Sequence, residues 1–185
     1  MNLKYRLLDH PFYQDWSCGK VTTEQLSKYA VSYLDFIKEI PVYWQRIVLG
    51  LNAMNDEAFE VIVDEHSHIS LWEEFASKLP PASAYPVMTD VLYAFASMSP
   101  SELLGAIHAF EIQQPEVANT KRAGLLEHYG FNSEEVKYFD EHLLEEEHIK
   151  FGSDLKNNSA NSDEFNSGFE KGAELIYHSL DLFMN

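Results

Sequence analysis

Three stretches of the chain gather residues able to hold a metal. In "VDEHSHISLW" (residues 63–72), Glu65 and His68 are three apart, so on a helix they share one face. Ile62, Leu71 and Trp72 lie on the same side, while His66 sits about 160° from His68 and points elsewhere. In "GAIHAFEIQQPEV", Glu111 follows an apolar turn of Leu103, Leu104, Ile107 and Phe110. An acid inside such a helix is costly unless it is paired or metal-bound. In "FDEHLLEEEHIKF" (residues 139–151), His142, Glu145 and His148 fit one arc of roughly 120°. Glu141 and Glu147 fall off that arc and read as solvated, and Glu146 lies about 160° from His148. Each stretch taken alone also has a plain reading: a surface Glu–His pair, an acid at the border of an apolar stripe, a solvated acidic face. Jointly they match a bundle that brings carboxylates and imidazoles from separate helices around a di-metal centre. Such a mixture of oxygen and imidazole donors suits iron and manganese.

The elements that must position these groups read as helices throughout. "TTEQLSKYAVSYLDFIKEI" starts at Thr22 or Thr23 as N-cap and carries Leu26, Tyr29, Tyr33, Phe36, Ile37 and Ile40 as an inward stripe. Pro41 is expected to kink or interrupt that helix, and Pro115 to kink another. "DEAFEVIVDEHSHISLWEEFASKL" is stopped by the prolines at 80 and 81, and "MTDVLYAFASM" ends before Pro100. The next helix restarts at Ser99 or Ser101, and Gly130 serves as a C-terminal cap. Ser133 is the expected N-cap of the helix over "NSEEVKYFDEHLLEEEHIKFGSDL". Residues 157–168 read as a loop or frayed start before a closing amphipathic helix. Alternating strands, hairpin signals and internal repeats are absent from the sequence. The expectation is an all-α bundle of seven or eight helices in a single domain over residues 1–185.

Composition narrows the function classes. A formal net charge of −17 is unsuited to nucleic-acid phosphates and to anionic membrane surfaces. The single cysteine, Cys18, allows neither an internal disulfide nor a cysteine-based zinc site, which fits a reducing cytoplasm. The first residues lack the apolar run of a signal peptide, and no stretch approaches the ~20 apolar residues of a membrane span.

"HPFYQDWSCGKVTTEQLSKYAVSYLDFIKEIPVYWQRI", "DEHSHISLW", "AFEIQQPEVANTKRAGLLEHYGF", "YFDEHLLEEEH" and "LIYHSLDLF" occur in an order that resembles the heme-oxygenase-like proteins grouped with TenA and PqqC. Within that group the chain is most similar to the metal-dependent oxidases that make para-aminobenzoate. The resemblance covers nearly the whole chain and is weakest over residues 77–100 and 152–168. It implies a helical bundle with a di-iron or iron–manganese centre that uses dioxygen, in a homodimer. Carried over by position, the ligands are Glu65, His68, Glu111, His142 and His148, with Glu145 standing where the family has an aspartate. The resemblance further implies that Tyr13 is a self-derived substrate for a folate precursor and Lys121 its amine source, with Tyr29 and Tyr33 nearby.

Two departures stand out. Glu65 and His68 are one turn closer than in those synthases. The six-residue step from His142 to His148 is one residue short, so either the helix tightens locally, as a 3₁₀ segment allows, or the second metal site is incomplete. Other readings remain: an oxidase acting on an external small molecule, a cofactorless PqqC-like oxidase, a TenA-like hydrolase using Cys18 as nucleophile, and an interaction protein that binds helices such as those of death domains.

Overall fold

The computed structural model describes residues 3–144 and 146–184, and among them every regular element is helical. The α-helices are α1 (Pro11–Ser17), α2 (Thr23–Gly50), α3 (Asp56–Ser77), α4 (Thr89–Ser97), α5 (Pro100–Glu111), α6 (Gln114–His128), α7 (Lys137–Glu141), α8 (Glu146–Asn158) and α9 (Ser162–Ser179). Single 3₁₀ turns fill in at Leu7–Asp9, Ser133–Val136, His142–Leu144 and Leu180–Phe183. The all-α bundle expected from the sequence is what the chain forms. None of the described helices is long and apolar enough to cross a membrane.

Local chemistry sets most boundaries. Thr22 and Gln25 form a reciprocal capping box on α2, and Ser99 and Glu102 do the same on α5, with Pro100 in its first turn. Asn55 caps α3 through the backbone N–H of Ala58. Gly130 takes a left-handed φ of +74° just past α6, the conformation that a C-terminal glycine supplies.

Four expectations are corrected. Pro41 does not interrupt its helix: α2 runs unbroken from Thr23 to Gly50 with Pro41 buried inside it, so packing outweighs the lost backbone bond. Pro115 does not kink a helix but starts one: the chain breaks after Glu111, and Pro115 occupies the first turn of α6, where an N–H has no intrahelical partner anyway. The cap expected at Ser133 is Asn132, whose side chain accepts from Glu134 N–H at 2.9 Å. Most of residues 157–168 is helical rather than loop. Asn158 ends α8, and Asn161 caps α9 by accepting from the N–H groups of Asp163 and Glu164. A polar, small-residue composition here hid two good helix ends.

Helix α5 is the centre of the bundle. Nearly all of its residues, Leu103 to Glu111 included, are buried, as befits a helix apolar on all sides. It lies against α2, α8 and α9. The α5–α9 seam requires glycine, because a Cβ on Gly168 would strike the carbonyl of Glu102 and one on Gly105 the carbonyl of Phe165. That close approach carries Glu111, at the C-terminal end of α5, into the interior.

Candidate metal centre and tyrosine–lysine cluster

Glu65, His68, Glu111, His142 and His148 are all buried, from three separate parts of the chain. Helix α3 turns Glu65 and His68 inward together with Trp72, whose indole N–H donates to Ala30 C=O at 2.7 Å and locks α3 on α2. His66 is exposed, as its angle on the helix requires. Glu141, Glu146 and Glu147 are exposed as well. Glu145 lies outside the described residues.

The stretch from 139 to 151 is not one regular helix. Helix α7 ends at Glu141, His142–Leu144 is a 3₁₀ turn, and α8 starts at Glu146. The tightened turn is the local change that the six-residue step called for, and both histidines end up buried.

The groups interlock closely. Glu65 Oε2 is 3.3 Å from His68 Nδ1, and Glu65 Oε1 is 3.3 Å from His148 Nδ1. The His68 ring centroid is 4.5 Å from that of His142 and 6.0 Å from that of His148. His142 Nδ1 lies 2.7 Å from the carbonyl of Tyr138. Burial by itself would raise the carboxyl of Glu65. The hydrogen bonds to His148 and His68 outweigh it and hold the group well below the usual carboxylate range. Glu65, Glu111 and His148 each offer a ligand atom within 4.8 Å of the others. Two carboxylates and several imidazoles in a protein core cost several kcal/mol unless compensated. A cation among them would supply that compensation, and a mixed carboxylate and imidazole donor set suits iron.

Asp64 is a neighbour that sequence reasoning passed over. Its Oδ2 lies 3.2 Å from His148 Nε2 and 3.6 Å from His68 Nε2. The signal was present: Asp64 is four residues before His68, an i, i+4 pair.

A second buried cluster surrounds Lys121. Helix α6 packs on α1 where Gly124 faces Trp16; a Cβ there would sit 2.7 Å from Trp16 Cδ1. The Trp16 indole N–H donates to Lys121 C=O at 3.1 Å, one turn away. Tyr13, one turn before Trp16, and Lys121 thereby meet in the core. The Lys121 Nζ donates to Tyr29 Oη at 2.7 Å, and Tyr29 Oη is 3.1 Å from Tyr13 Oη. The same nitrogen lies 5.0 Å from the Tyr13 ring centroid, 5.1 Å from Tyr29 and 4.9 Å from Tyr33. Among the described residues no carboxylate pairs with it, and burial lowers its pKa to about 7. Burial raises Tyr13 and Tyr29, so both phenols stay protonated.

Aromatic contacts join the two clusters. Tyr29 stacks on Tyr33 at 5.1 Å, Tyr33 meets Trp72 at 4.9 Å, Trp72 meets Tyr138 at 4.7 Å, and Tyr138 meets His142 at 4.2 Å, all between ring centroids. Trp72 and Tyr138 were not singled out for this role from the sequence, since an aromatic stripe at helical spacing reads first as core.

A family profile described as iron-containing redox enzyme matches residues 32–177. The chain belongs to this family of iron-containing redox enzymes. It is a metal-dependent redox enzyme by that membership. It is 32% identical over 156 residues to a protein named 4-aminobenzoate synthase from Chlamydia muridarum (strain MoPn / Nigg), which covers 74% of this chain and 65% of that protein. A protein of the same name from Chlamydia pneumoniae is 29% identical over 97% of this chain and 89% of its own length. A third, from Nitrosomonas europaea, is 30% identical over 74% of this chain and 66% of that protein. The chain thus spans about two thirds of the length of two of these three relatives. Among solved structures, a TenA homolog from Pseudomonas syringae pv. tomato superposes with a TM-score of 0.70 over 98% of this chain and 87% of that one. At 16% identity it speaks for the fold alone, a TenA-like helical bundle. The cysteine that a TenA-like hydrolase reading would employ, Cys18, is exposed past the end of α1 rather than set in the core.

Proposed function

We propose that this enzyme is a di-metal oxidase, with iron or iron and manganese and dioxygen as co-substrate, that makes para-aminobenzoate from its own Tyr13 with Lys121 as the amine source. The observation that carries the reading is the burial of an amine lowered to about 7 against the very phenol that the resemblance marks. A tyrosine that merely packs α1 needs no lysine beside it. A solvated lysine would not lie fully buried among three tyrosines and a tryptophan. The names of the relatives support the same product.

In this reading Glu65, Glu111 and His148 would hold one ion, and His68 and His142, with Glu145, would hold a second. When bound, the metal would supply oxidising power from dioxygen through open coordination positions. The chain's own residues do the rest. Tyr29 accepts the Lys121 hydrogen bond and holds the amine beside Tyr13, and the enclosing aromatics exclude water. The ring contacts through Tyr33, Trp72 and Tyr138 offer electrons a packed route between phenol and imidazole.

The test is a single-turnover experiment. Anaerobic protein is loaded with Fe(II), or with Fe(II) and Mn(II), then exposed to oxygen. Para-aminobenzoate is assayed, and peptides carrying Tyr13 and Lys121 are weighed by mass spectrometry. Loss of both native side chains with about one product per chain is expected. Intact Tyr13 and Lys121 with product formed from an added compound would instead mark an oxidase of an external small molecule. A protein that takes up no metal would remove the reading altogether.

A further inference from the structure

Helix α1 carries Tyr13 and is short, Pro11–Ser17, so its own backbone bonds do not suffice to hold it in place. Its start is organised by one residue, His10. Pro11 has no N–H to satisfy. The next three N–H groups all end on His10: its side-chain Nδ1 accepts from Phe12 at 3.1 Å, and its carbonyl accepts from Tyr13 at 3.0 Å and Gln14 at 3.1 Å. Histidine is not among the residues that favour an N-cap position. Its second nitrogen gives it a use that Ser and Thr lack. Because Nδ1 accepts a backbone proton, the neutral ring carries its own proton on Nε2. That nitrogen lies 3.2 Å from Asp181 Oδ1 and donates to it. One buried imidazole thus ties the first turn of α1 to the closing 3₁₀ turn, Leu180–Phe183.

We propose that His10 and Asp181 are positioning residues for Tyr13: Asp181 holds the His10 ring, the ring caps α1, and the cap fixes where α1 presents Tyr13 to Tyr29 and Lys121. The inference rests on the reading of Tyr13 and Lys121 given above. His10 stands one turn before Tyr13, whose Oη lies 3.1 Å from Tyr29 Oη. The His10 ring is 1% exposed, and Tyr177 packs against it edge-on at 4.7 Å between centroids, so it has little room to turn. Burial is the main influence on the ring and lowers its pKa from the ordinary value, which keeps the Nδ1 lone pair available to Phe12 N–H at neutral pH. Asp181 sits at the surface, its other oxygen 3.4 Å from His178 Nδ1. The closing turn meets the cluster a second time. The Phe183 ring lies 5.7 Å from Phe12 and 5.2 Å from Tyr29, and Gln25 of α2 donates to Phe183 C=O at 3.0 Å. The end of the chain therefore fastens α1 to α2 beside the two phenols. Precision of this kind matters to chemistry, because a displacement of about 1 Å at a reacting group costs ~100-fold in rate.

The test compares the full-length wild type with His10→Ala, His10→Asn and Asp181→Ala. Three quantities are read: hydrogen exchange of the Phe12 amide, the NMR titration of the Lys121 side chain, and the rate of para-aminobenzoate formation in a single turnover with Fe(II). His10→Ala is expected to speed Phe12 exchange about 2–30-fold, the range that loss of a cap implies. It is also expected to shift the Lys121 titration from its wild-type position and to slow the single turnover ~10–100-fold. Asp181→Ala should move all three in the same direction and by less. Asn caps well but is too short to reach Asp181, so His10→Asn is expected to return Phe12 exchange to near the wild-type value and to recover part of the rate. A lowered melting temperature with the Lys121 titration and the rate unchanged in the folded variants would overturn the proposal and leave His10 a role in stability alone. Should His10→Ala fail to fold, Asp181→Ala decides by the same criteria. A nitrogen NMR spectrum placing the His10 proton on Nδ1 would also overturn it. A wild type that makes no para-aminobenzoate refutes the proposed function instead, and Phe12 exchange and the Lys121 titration still decide whether the pair positions α1.

Discussion

Lys121 offers the sharpest test, because its chemistry follows from burial alone. Its ordinary pKa of 10.5 is lowered to about 7 with burial as the cause. Folding must therefore strip a proton that the unfolded chain keeps between roughly pH 7 and 10.5. In that window the unfolded state binds more protons, so the stability contributed by this group rises with pH. Below pH 7 the folded state can keep the proton only at the full desolvation penalty, and that penalty is relieved as pH climbs. The slope is ~1.4 kcal/mol per pH unit for one proton. Lys121→Met keeps the volume and removes the titration. Urea unfolding of wild type and Lys121→Met at several pH values from 7.5 to 9.5 isolates the term. The stability of wild type relative to the variant should rise by roughly 2–3 kcal/mol over that range. The window stops short of pH 10, where the unfolded chain starts to ionise its tyrosines and the buried phenols add a slope of opposite sign. A parallel measurement follows the Lys121 side-chain carbon by NMR, where the resonance should titrate near neutrality. A flat stability difference, or a resonance titrating near 10.5, would refute the reasoning and indicate a carboxylate partner for the amine.

The neighbouring contacts make further predictions. Tyr29→Phe removes the hydroxyl that bridges Lys121 at 2.7 Å and Tyr13 at 3.1 Å, leaving a buried amine and phenol to lose a partner. A loss of about 1–3 kcal/mol in urea unfolding is expected. Gly124→Ala places a methyl 2.7 Å from Trp16 Cδ1, so α1 must shift from α6; a cost of about 1–3 kcal/mol is expected, together with loss of para-aminobenzoate in single turnover as Tyr13 moves from Lys121.

Much of this molecule is legible in its sequence, for a physical reason. Helical periodicity and capping are local, so the stripe on α2, the Gly130 stop and the caps to within a residue or two (Thr22 or Thr23, Ser99 or Ser101) could be named without a structure, which selects Thr22 and Ser99. The shared face of Glu65 and His68 follows from the angle per residue alone. The local rules misled where packing competes with them. Pro41 stays helical because it is buried in a long helix, and the polar segment near 160 is two helix ends rather than a loop. What the one-residue shortfall between His142 and His148 would do was open in the sequence, and the 3₁₀ turn resolves how both rings can be buried.

The residue types needed for metal and amine chemistry were therefore written in the chain, since type and helical face are properties of single segments. Their meeting was not. That Lys121 Nζ rests against Tyr29, that Asp64 reaches two histidines at once, and that Trp72 and Tyr138 bridge two clusters all depend on how α1, α2, α3, α6, α7 and α8 pack together. Distances between segments far apart in sequence are set by close packing of whole helices, including the fit of Gly124 against Trp16, and only the tertiary structure contains them.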